Sequence, residues 1–222
     1  MRWRLWVRDH GLILVCGGLF LLFWIGMAVF GVQVHNSEQA EHGGTGTSLI
    51  GYLATGDFAE ATFENWESEF LQMGMYVVLT AILFQRGSAE SKPLDGPAPQ
   101  DADPREAPLK PDTPWAVRRG GWVLAVYEHS LSLLLLLLFV LSFVGHALGG
   151  AAAYSAEQVE HGEAPVTAWE YLGTSQFWFE SLQNWQSEFL AVAAIVLGSV
   201  WLRERGSSES KPVAAPHAET GA

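Results

Sequence analysis

The feature that most constrains this chain is an apolar stretch of 24 residues without a charge, residues 11–34. About 20 apolar residues, each rising 1.5 Å along a helix, cross the ~30 Å hydrocarbon layer of a membrane. Residues 130–156 form a second such stretch, and two shorter runs, 70–84 and 189–202, reach the same length if their helices begin near residues 65 and 184. The sequence therefore predicts an all-α membrane protein with four transmembrane helices, roughly at residues 11–34, 66–85, 129–152 and 185–203.

The composition excludes several other classes of protein. Charged residues make up 16% of the 222 residues, and the net charge is −12, whereas soluble domains contain about 25% charged residues. This argues against a soluble enzyme and against a disordered chain. Because no basic patch is large enough, we expect no nucleic-acid partner. Cys16 is the only cysteine, so an internal disulfide and a cysteine-based metal site are both excluded.

The basic residues predict the orientation in the membrane. All 12 lysines and arginines precede the first predicted span, lie between the second and third, or follow the fourth, and loops 35–65 and 153–184 contain none. Cytoplasmic segments carry such an excess of positive charge. We therefore expect a multi-pass protein of the cytoplasmic (inner) membrane, with both termini and the central linker in the cytoplasm. The charged residues of the two external loops are all acidic. These acids form either a solvated face or a surface that concentrates cations.

The chain contains the same unit twice. Residues 1–93 align with residues 120–212 at a constant offset of 119 without a gap, with 36 identities in 93 pairs. Each unit is a two-span hairpin, and the two have the same orientation, so the sequence predicts a tandem parallel repeat. Residues 94–119 are then a flexible cytoplasmic linker and residues 213–222 a disordered tail, because their composition cannot bury a core.

One cluster shared by both copies suits a metal ion. Its carboxylates and imidazole fall at positions i, i+3 and i+4 of a helix, which is one face, and such ligands suit a divalent transition metal. The alternative is a polar helix end capped by Gly43. The candidate ligands are Glu38, Glu41 and His42, matched by Glu157, Glu160 and His161.

A second shared cluster places acids where the short spans enter the bilayer. A carboxylate there is costly unless it faces the bundle interior or a partner, so a small cation or proton conduit through Glu69 and Glu188 is one hypothesis. The alternative is an interfacial glutamate that hydrogen-bonds to a neighbouring helix. The polar members of this cluster are Asn65, Ser68 and Glu69, matched by Asn184, Ser187 and Glu188.

The third shared cluster follows the second and fourth spans on the cytoplasmic side. Its arginine, glycine and proline stop a helix, but its Ser-x-Glu-Ser core needs another explanation. We expect a folded cytoplasmic turn or a docking surface. The polar members are Arg86, Ser88, Glu90, Ser91 and Lys92, matched by Arg205, Ser207, Glu209, Ser210 and Lys211.

Two histidines, His10 and His129, also match, each at the cytoplasmic start of a span. They are either axial haem ligands or ordinary interfacial residues. His146 has no counterpart, because Met27 occupies the matching position. We expect no cofactor, with a divalent metal or haem as the alternative.

Local patterns predict the external loops and the helix packing. Thr55 and Thr174 are expected N-caps, each between a short amphipathic helix and the helix that runs into the next span. Small residues are expected to face another helix. They are Gly26, Ala28 and Gly31, matched by Gly145, Ala147 and Gly150.

The strings NWxSEFLQ and QRGSxESK, here residues 65–72 and 85–92, resemble an uncharacterised family of bacterial integral membrane proteins, a domain of unknown function. The resemblance covers both repeats. It implies a multi-pass bacterial membrane protein and brings no activity, cofactor or catalytic residue.

Because the chain shows no nucleophile, phosphate-binding loop or strong metal signature, we expect a non-enzymatic accessory or assembly protein of the cell envelope. Its expected partners are the lipid bilayer and either itself or another membrane protein. The alternatives are the cation or proton conduit, and a metal- or haem-dependent redox protein.

Overall fold

The computed structural model describes residues 2–41 and 43–221, and within these ranges the chain forms helices and turns but no β-strand. The prediction of an all-α fold is confirmed. The α-helices, in chain order, are α1 (Arg2–Asp9), α2 (Gly11–Glu41), α3 (Leu49–Tyr52), α4 (Gly56–Ile82), α5 (Trp115–Arg119), α6 (Gly121–Glu128), α7 (Ser130–Glu160), α8 (Ala168–Tyr171) and α9 (Ser175–Trp201). A 3₁₀-helix, Pro99–Asp101, lies between α4 and α5.

Two of the described helices, α2 and α7, are long and apolar enough to cross a membrane. The sequence predicts four such helices. Helices α4 and α9 are also long, at 27 residues each, but they begin in the polar sequence of the loops, which dilutes their apolar stretches. The described helices therefore include two candidate spans by length and composition.

The long helices extend further than the predicted spans. Helices α2 and α7 continue to Glu41 and Glu160, because no helix-breaking residue intervenes. Gly43 and Gly162 then adopt positive φ angles of 76° and 79°. The backbone N–H of Gly44 donates to the carbonyl of Gln39 at 2.7 Å, which satisfies a helix-end carbonyl. This geometry is the glycine cap of the alternative interpretation.

The predicted threonine caps are also confirmed. The hydroxyl oxygens of Thr55 and Thr174 each accept the backbone N–H three residues later, at 3.3 Å, where α4 and α9 begin. Each follows a short helix, α3 or α8. In α8, Thr167 and Glu170 form a reciprocal capping box. The backbone and hydroxyl hydrogen bonds from Thr167 lower the pKa of the Glu170 carboxyl.

The helix bounds repeat along the chain. Every bound of α1 to α4 recurs 119 residues later in α6 to α9, with the same helix lengths of 8, 31, 4 and 27 residues. This is the same offset at which the two halves of the sequence align.

The described chain divides into two compact units, one formed by Met1–Phe63 with Val144–Phe177 and the other by Glu64–Phe143 with Trp178–Ala222. The first unit has two clusters of rings. In one, Tyr52 and Phe58 are buried, with ring centroids 5.6 Å apart. In the other, Tyr171 and Phe177 are buried, also with ring centroids 5.6 Å apart. His146 stacks on Phe177 at 4.7 Å.

Glycines permit these close contacts in the first unit. A Cβ atom added at Gly31 or Gly150 would overlap the ring of Tyr52 or Tyr171, and one at Gly145 would lie 2.5 Å from the Phe63 ring. These glycines face another helix, as predicted. The prediction is wrong for Gly26, which has open space around it. The buried residues Ala28 and Ala147 agree with the predicted packing face.

The second unit contains the last part of α4, the first part of α7 and most of α9, together with the segments that follow α4 and α9. We call residues 85–93 the first motif turn, residues 204–211 the second motif turn and residues 212–221 the tail segment. These three segments carry most of the polar contacts described below.

Candidate functional site

The first motif turn packs directly against α9. At Gly87, φ is +82°, a left-handed conformation that glycine adopts without strain. This bend carries Ser88, which is fully buried, to Ser199 of α9, and their hydroxyl oxygens are 2.9 Å apart. The backbone N–H of Ala89 donates to the same Ser199 oxygen at 3.1 Å. The serine of the motif therefore has a structural role in holding the turn.

Lys211 of the second motif turn is buried, with 1% of its surface exposed. Its ammonium group donates to the carbonyl of Gly87 and to three carbonyls of the tail segment, those of Pro216, His217 and Glu219, at 3.3, 3.1 and 2.7 Å. Burial, followed by the charge of Arg203, lowers the pKa of Lys211. Lys211 thus joins the tail segment to the first motif turn.

The tail segment makes further contacts with the first motif turn. The backbone N–H of Gly87 donates to the hydroxyl of Thr220 at 2.8 Å, and the backbone N–H of Gly221 donates to the carbonyl of Ser88 at 3.0 Å. Arg203, one helical turn after Ser199, donates to the carbonyl of Ala215 at 3.3 Å. These bonds give the tail segment a defined position.

Lys92 occupies the equivalent position in the first motif turn and has different partners. Its ammonium group donates to the carbonyl of Ala81 at 2.8 Å and to the Asp101 carboxylate at 2.7 Å. It therefore ties the end of α4 to the linker. The two lysines, 119 residues apart, stabilise two different segments.

A polar cavity of about 780 Å³ lies among these segments of the second unit. It is lined by residues from both motif turns, from the linker and from α7, and by Glu128 and His129. The acid Asp101 is paired with Lys92, and Glu128 lies 3.1 Å from Arg105. Glu90 and Glu209 make no such ion pair in the described part of the chain. The cavity therefore has a negative field that favours cations.

Glu90 is the most constrained acid of the cavity. Its Oε2 accepts the hydroxyl of Tyr76 at 2.6 Å. Its Oε1 is buried, and no residue in the described ranges donates to it. A buried acceptor without a donor costs free energy, so a ligand that supplies a positive charge or an N–H group would be stabilised there.

The predicted interfacial cluster has its polar groups on different sides of α4 and α9. Asn65 and Glu69 are exposed, Ser68 is buried and donates to the carbonyl of Asn65 at 2.8 Å, and Ser187 makes the same bond to the carbonyl of Asn184. Glu188 is half-buried.

Two other acids in this region, Glu64 and Glu67 of α4, accept hydrogen bonds from α9. Asn184 donates to the Glu64 carboxylate, and the indole N–H of Trp185 donates to Oε1 of Glu67 at 3.1 Å. Glu67 is fully buried.

The candidate metal ligands lie at the ends of α2 and α7. Glu38, Glu41, Glu157 and Glu160 are exposed, and Glu160 accepts an N–H from Gln39 at 3.2 Å. The ring of His161 is hydrogen-bonded to the carbonyl of Glu157 at 2.8 Å. His42 lies outside the residues that the structure describes.

The candidate haem ligands are both exposed. The Nδ1 of His10 is hydrogen-bonded to the carbonyl of Trp6 at 2.8 Å, and its ring stacks on that of Trp6 with centroids 4.8 Å apart. His129 lines the polar cavity.

The remaining polar residues of the motif turns are exposed or have local partners. Arg86 and Arg205 are exposed at the start of their motif turns. Ser207 and Ser210 accept nearby backbone N–H groups at 3.1 and 2.9 Å. Ser91 makes the same kind of bond as Ser210, to the backbone N–H of Gln85.

A further polar cluster lies at the loop side of the first unit. The Nδ1 of His35 donates to the Asp57 carboxylate, and the ring of Tyr52 lies 5.6 Å from that of His35. Burial, followed by the charges of Asp57 and Glu38, raises the pKa of Tyr52. Tyr52 is therefore a neutral phenol at physiological pH.

The sequence model of a domain of unknown function, DUF6766, matches residues 3–222. The chain belongs to the DUF6766 family. No curated protein and no solved structure matches it. Membership of DUF6766 agrees with the resemblance to a family without an assigned function, and it brings no activity to this chain.

Two acids of this DUF6766 chain that accept hydrogen bonds from a neighbouring helix are not predicted by its sequence. Glu64 and Glu67 correspond to Gln183 and Gln186 at the offset of 119, so a comparison of identical residues passes over them. A comparison of the positions at which the two copies differ could have found them, because each is an acid in one copy and an amide in the other. His146 differs from its counterpart Met27, and nothing in the sequence predicts the burial of the imidazole.

Proposed function

We propose that this chain is a four-span protein of the bacterial cytoplasmic membrane that acts without catalysis, as an accessory or assembly protein of the cell envelope. We further propose that its polar cavity is the cytoplasmic docking site for a basic segment of a partner membrane protein. The cavity, which residues of both motif turns line together, is the observation that carries this proposal.

Several observations support the membrane arrangement. Helices α2 and α7 have the length and apolarity of membrane spans. Helices α4 and α9, which come next in the chain, are apolar in their second halves. The absence of basic residues from loops 35–65 and 153–184 supports a cytoplasmic location for both motif turns. The recurrence of helix bounds after 119 residues supports a tandem repeat of hairpins.

The chemistry of the cavity supports binding rather than catalysis. Among the serines of the motif turns, Ser91 bonds to a backbone group, Ser88 to Ser199 of α9 and Ser208 to Glu209. Lys92 and Lys211 hold the linker and the tail segment. Glu90 and Glu209 remain as carboxylates in a cavity whose lysine is already paired. An arginine or lysine of a partner would supply the missing positive charge and form charge-assisted hydrogen bonds.

The membrane arrangement is tested by cysteine labelling in intact cells. In a Cys16→Ala background, Glu163→Cys should react with a membrane-impermeant maleimide, and Glu106→Cys should react only after the membrane is permeabilised. Labelling of Glu106→Cys in intact cells would contradict the proposed orientation.

The docking proposal is tested by photo-crosslinking. A photoreactive amino acid replaces Ser208, which is exposed and lines the cavity. We expect a crosslink to one membrane protein, which is lost when Glu90→Gln and Glu209→Gln are combined. Asp112→Asn, an exposed acid outside the cavity lining, is the matched control and should leave the crosslink unchanged. A crosslink that survives the double substitution would refute docking through these carboxylates.

A further inference from the structure

His146 is a buried polar residue at a position where packing does not require one. It lies in α7 with 0% of its surface exposed, and its ring stacks on Phe177 with centroids 4.7 Å apart. The ring of Tyr171 meets it edge to face at 6.4 Å. At the matching position 119 residues earlier, in α2, the chain has Met27, so the equivalent helix holds an apolar side chain of similar size there. An imidazole is costly to bury unless it binds a partner.

A carboxylate lies next to this imidazole. A carboxylate oxygen of Glu60 and a ring nitrogen of His146 are within 4.8 Å of each other. The hydroxyl of Tyr171, which is fully buried, donates to Oε1 of Glu60 at 2.9 Å and fixes the orientation of the carboxylate.

The backbone positions of both residues are set by close helix packing. A Cβ atom at Gly149 would lie 2.6 Å from the backbone nitrogen of Glu60, and one at Gly145 would lie 2.5 Å from the ring of Phe63. Helix α4 therefore approaches α7 as closely as glycine allows, one turn from His146. This approach is what brings the Glu60 carboxylate to the imidazole.

We propose that His146 and Glu60 bind a divalent first-row transition-metal cation, such as Zn²⁺, Fe²⁺ or Mn²⁺. Imidazole and carboxylate together suit these ions. Two ligand atoms, each about 2.1 Å from one ion, lie at most about 4.2 Å apart, so a small side-chain adjustment is sufficient. Tyr171 acts as the group that orients the carboxylate ligand, and water or other oxygen donors complete the coordination.

The site differs from the one that sequence reasoning favours at the ends of α2 and α7. His146 and Glu60 are not identical between the two copies of the repeat, since their counterparts are Met27 and Phe179. The proposed ion is therefore bound once per chain and does not depend on the proposed docking function.

The test uses the full chain in detergent after treatment with a chelator. Co²⁺ is titrated while its visible absorption is recorded, and Zn²⁺ binding is measured by calorimetry. We expect one Co²⁺ per chain, with an absorption spectrum that shows a nitrogen ligand. His146→Met, which places in α7 the residue found at position 27, and Glu60→Gln should each abolish binding. Tyr171→Phe should weaken it roughly 10- to 100-fold, as is usual for groups that orient a ligand.

The matched controls are His161→Met and Glu160→Gln, at the exposed end of α7, and both should bind Co²⁺ like the original chain. Circular dichroism shows whether each variant folds. If His146→Met does not fold, the result with Tyr171→Phe and the nitrogen signature of the Co²⁺ spectrum decide the question. Binding that survives in His146→Met, binding that is lost in His161→Met, or no Co²⁺ binding by the original chain would overturn the proposal.

Discussion

Gly149→Ala should leave the chain less stable than Gly26→Ala does, although both substitutions place alanine inside a helix. At Gly149, an added Cβ atom would lie 2.6 Å from the backbone nitrogen of Glu60 and 2.8 Å from the Cβ atom of Ala59. A backbone atom cannot move aside as the end of a flexible side chain can, so α4 and α7 would have to separate. Gly26→Ala is the matched control, because Gly26 also lies inside a long helix and has no atom within 4 Å.

The two substitutions share one contribution and differ in another. Replacing glycine by alanine inside a helix stabilises it by roughly 0.8–1.0 kcal/mol. Overpacking a close contact costs about 1–3 kcal/mol. Gly26→Ala should therefore raise the free energy of unfolding by about 1 kcal/mol. Gly149→Ala should lie about 1–3 kcal/mol below Gly26→Ala, and this difference is the packing cost alone.

The assay is reversible unfolding in detergent micelles, by titration with a denaturing detergent and with circular dichroism as the readout. The free energies of unfolding of both variants and the original chain are compared under the same conditions. The reasoning is refuted if Gly149→Ala is stabilised as much as Gly26→Ala, because the two helices would then not approach as closely as described.

Three further predictions concern the loops and the motif turns. Lys211→Met removes hydrogen bonds from a charged donor, which are worth about 1.5–3 kcal/mol. Amide hydrogen exchange in the tail segment should therefore accelerate roughly 10- to 100-fold. The control Lys92→Met should leave the exchange rate of the tail segment unchanged. The pKa of the Glu170 carboxyl is lowered, so the ionised carboxylate stabilises α8 at pH values above the ordinary carboxyl pKa of 4.5. This stabilisation is lost as the pH falls below 4.5. An NMR titration of Glu170 measures the pKa. Asp57→Asn should lower the pKa of Tyr52 towards its ordinary value of 10.0 but not reach it, because burial is the largest cause; a spectroscopic titration of the phenol measures this.

Each of these predictions has a contrary outcome. A tail segment that exchanges equally fast in both lysine variants would show that the carbonyl contacts do not hold it. The cap of α3, which has Ser48 as N-cap and a glycine in place of the glutamate, should be insensitive to acid, and loss of α3 at the same pH as α8 would argue against the capping box. An unchanged phenol titration would mean that Asp57 does not act on Tyr52.

Local signals in the sequence predicted the helical class and the helix caps. The caps at Thr55, Thr174 and Gly43 depend on residues within one helical turn of each other, so the local sequence is sufficient to place them. The two halves of the sequence align at an offset of 119 residues, and the helix bounds recur at the same offset. The number of spans was harder to predict, because α4 and α9 are apolar only in part of their length.

Residues of the candidate sites were harder to predict, because their environment depends on contacts between distant segments. The burial of His146 and Glu67 follows from which face of a long helix meets its neighbour, and composition carries no such information. Selecting residues identical in both copies favoured Glu69, which is exposed, over Glu67, which is buried. Composition predicts disorder for residues 213–222, and it contains no sign that several carbonyls there converge on Lys211.

The contact between Lys211 and the carbonyl of Gly87 has a consequence for biosynthesis. These two residues are 124 positions apart, so the first motif turn emerges from the ribosome long before its partner exists. At about 5–20 residues per second, the carbonyl of Gly87 waits several seconds or more for the lysine. During that interval the turn is open, and only translation of residues 211–221 closes it.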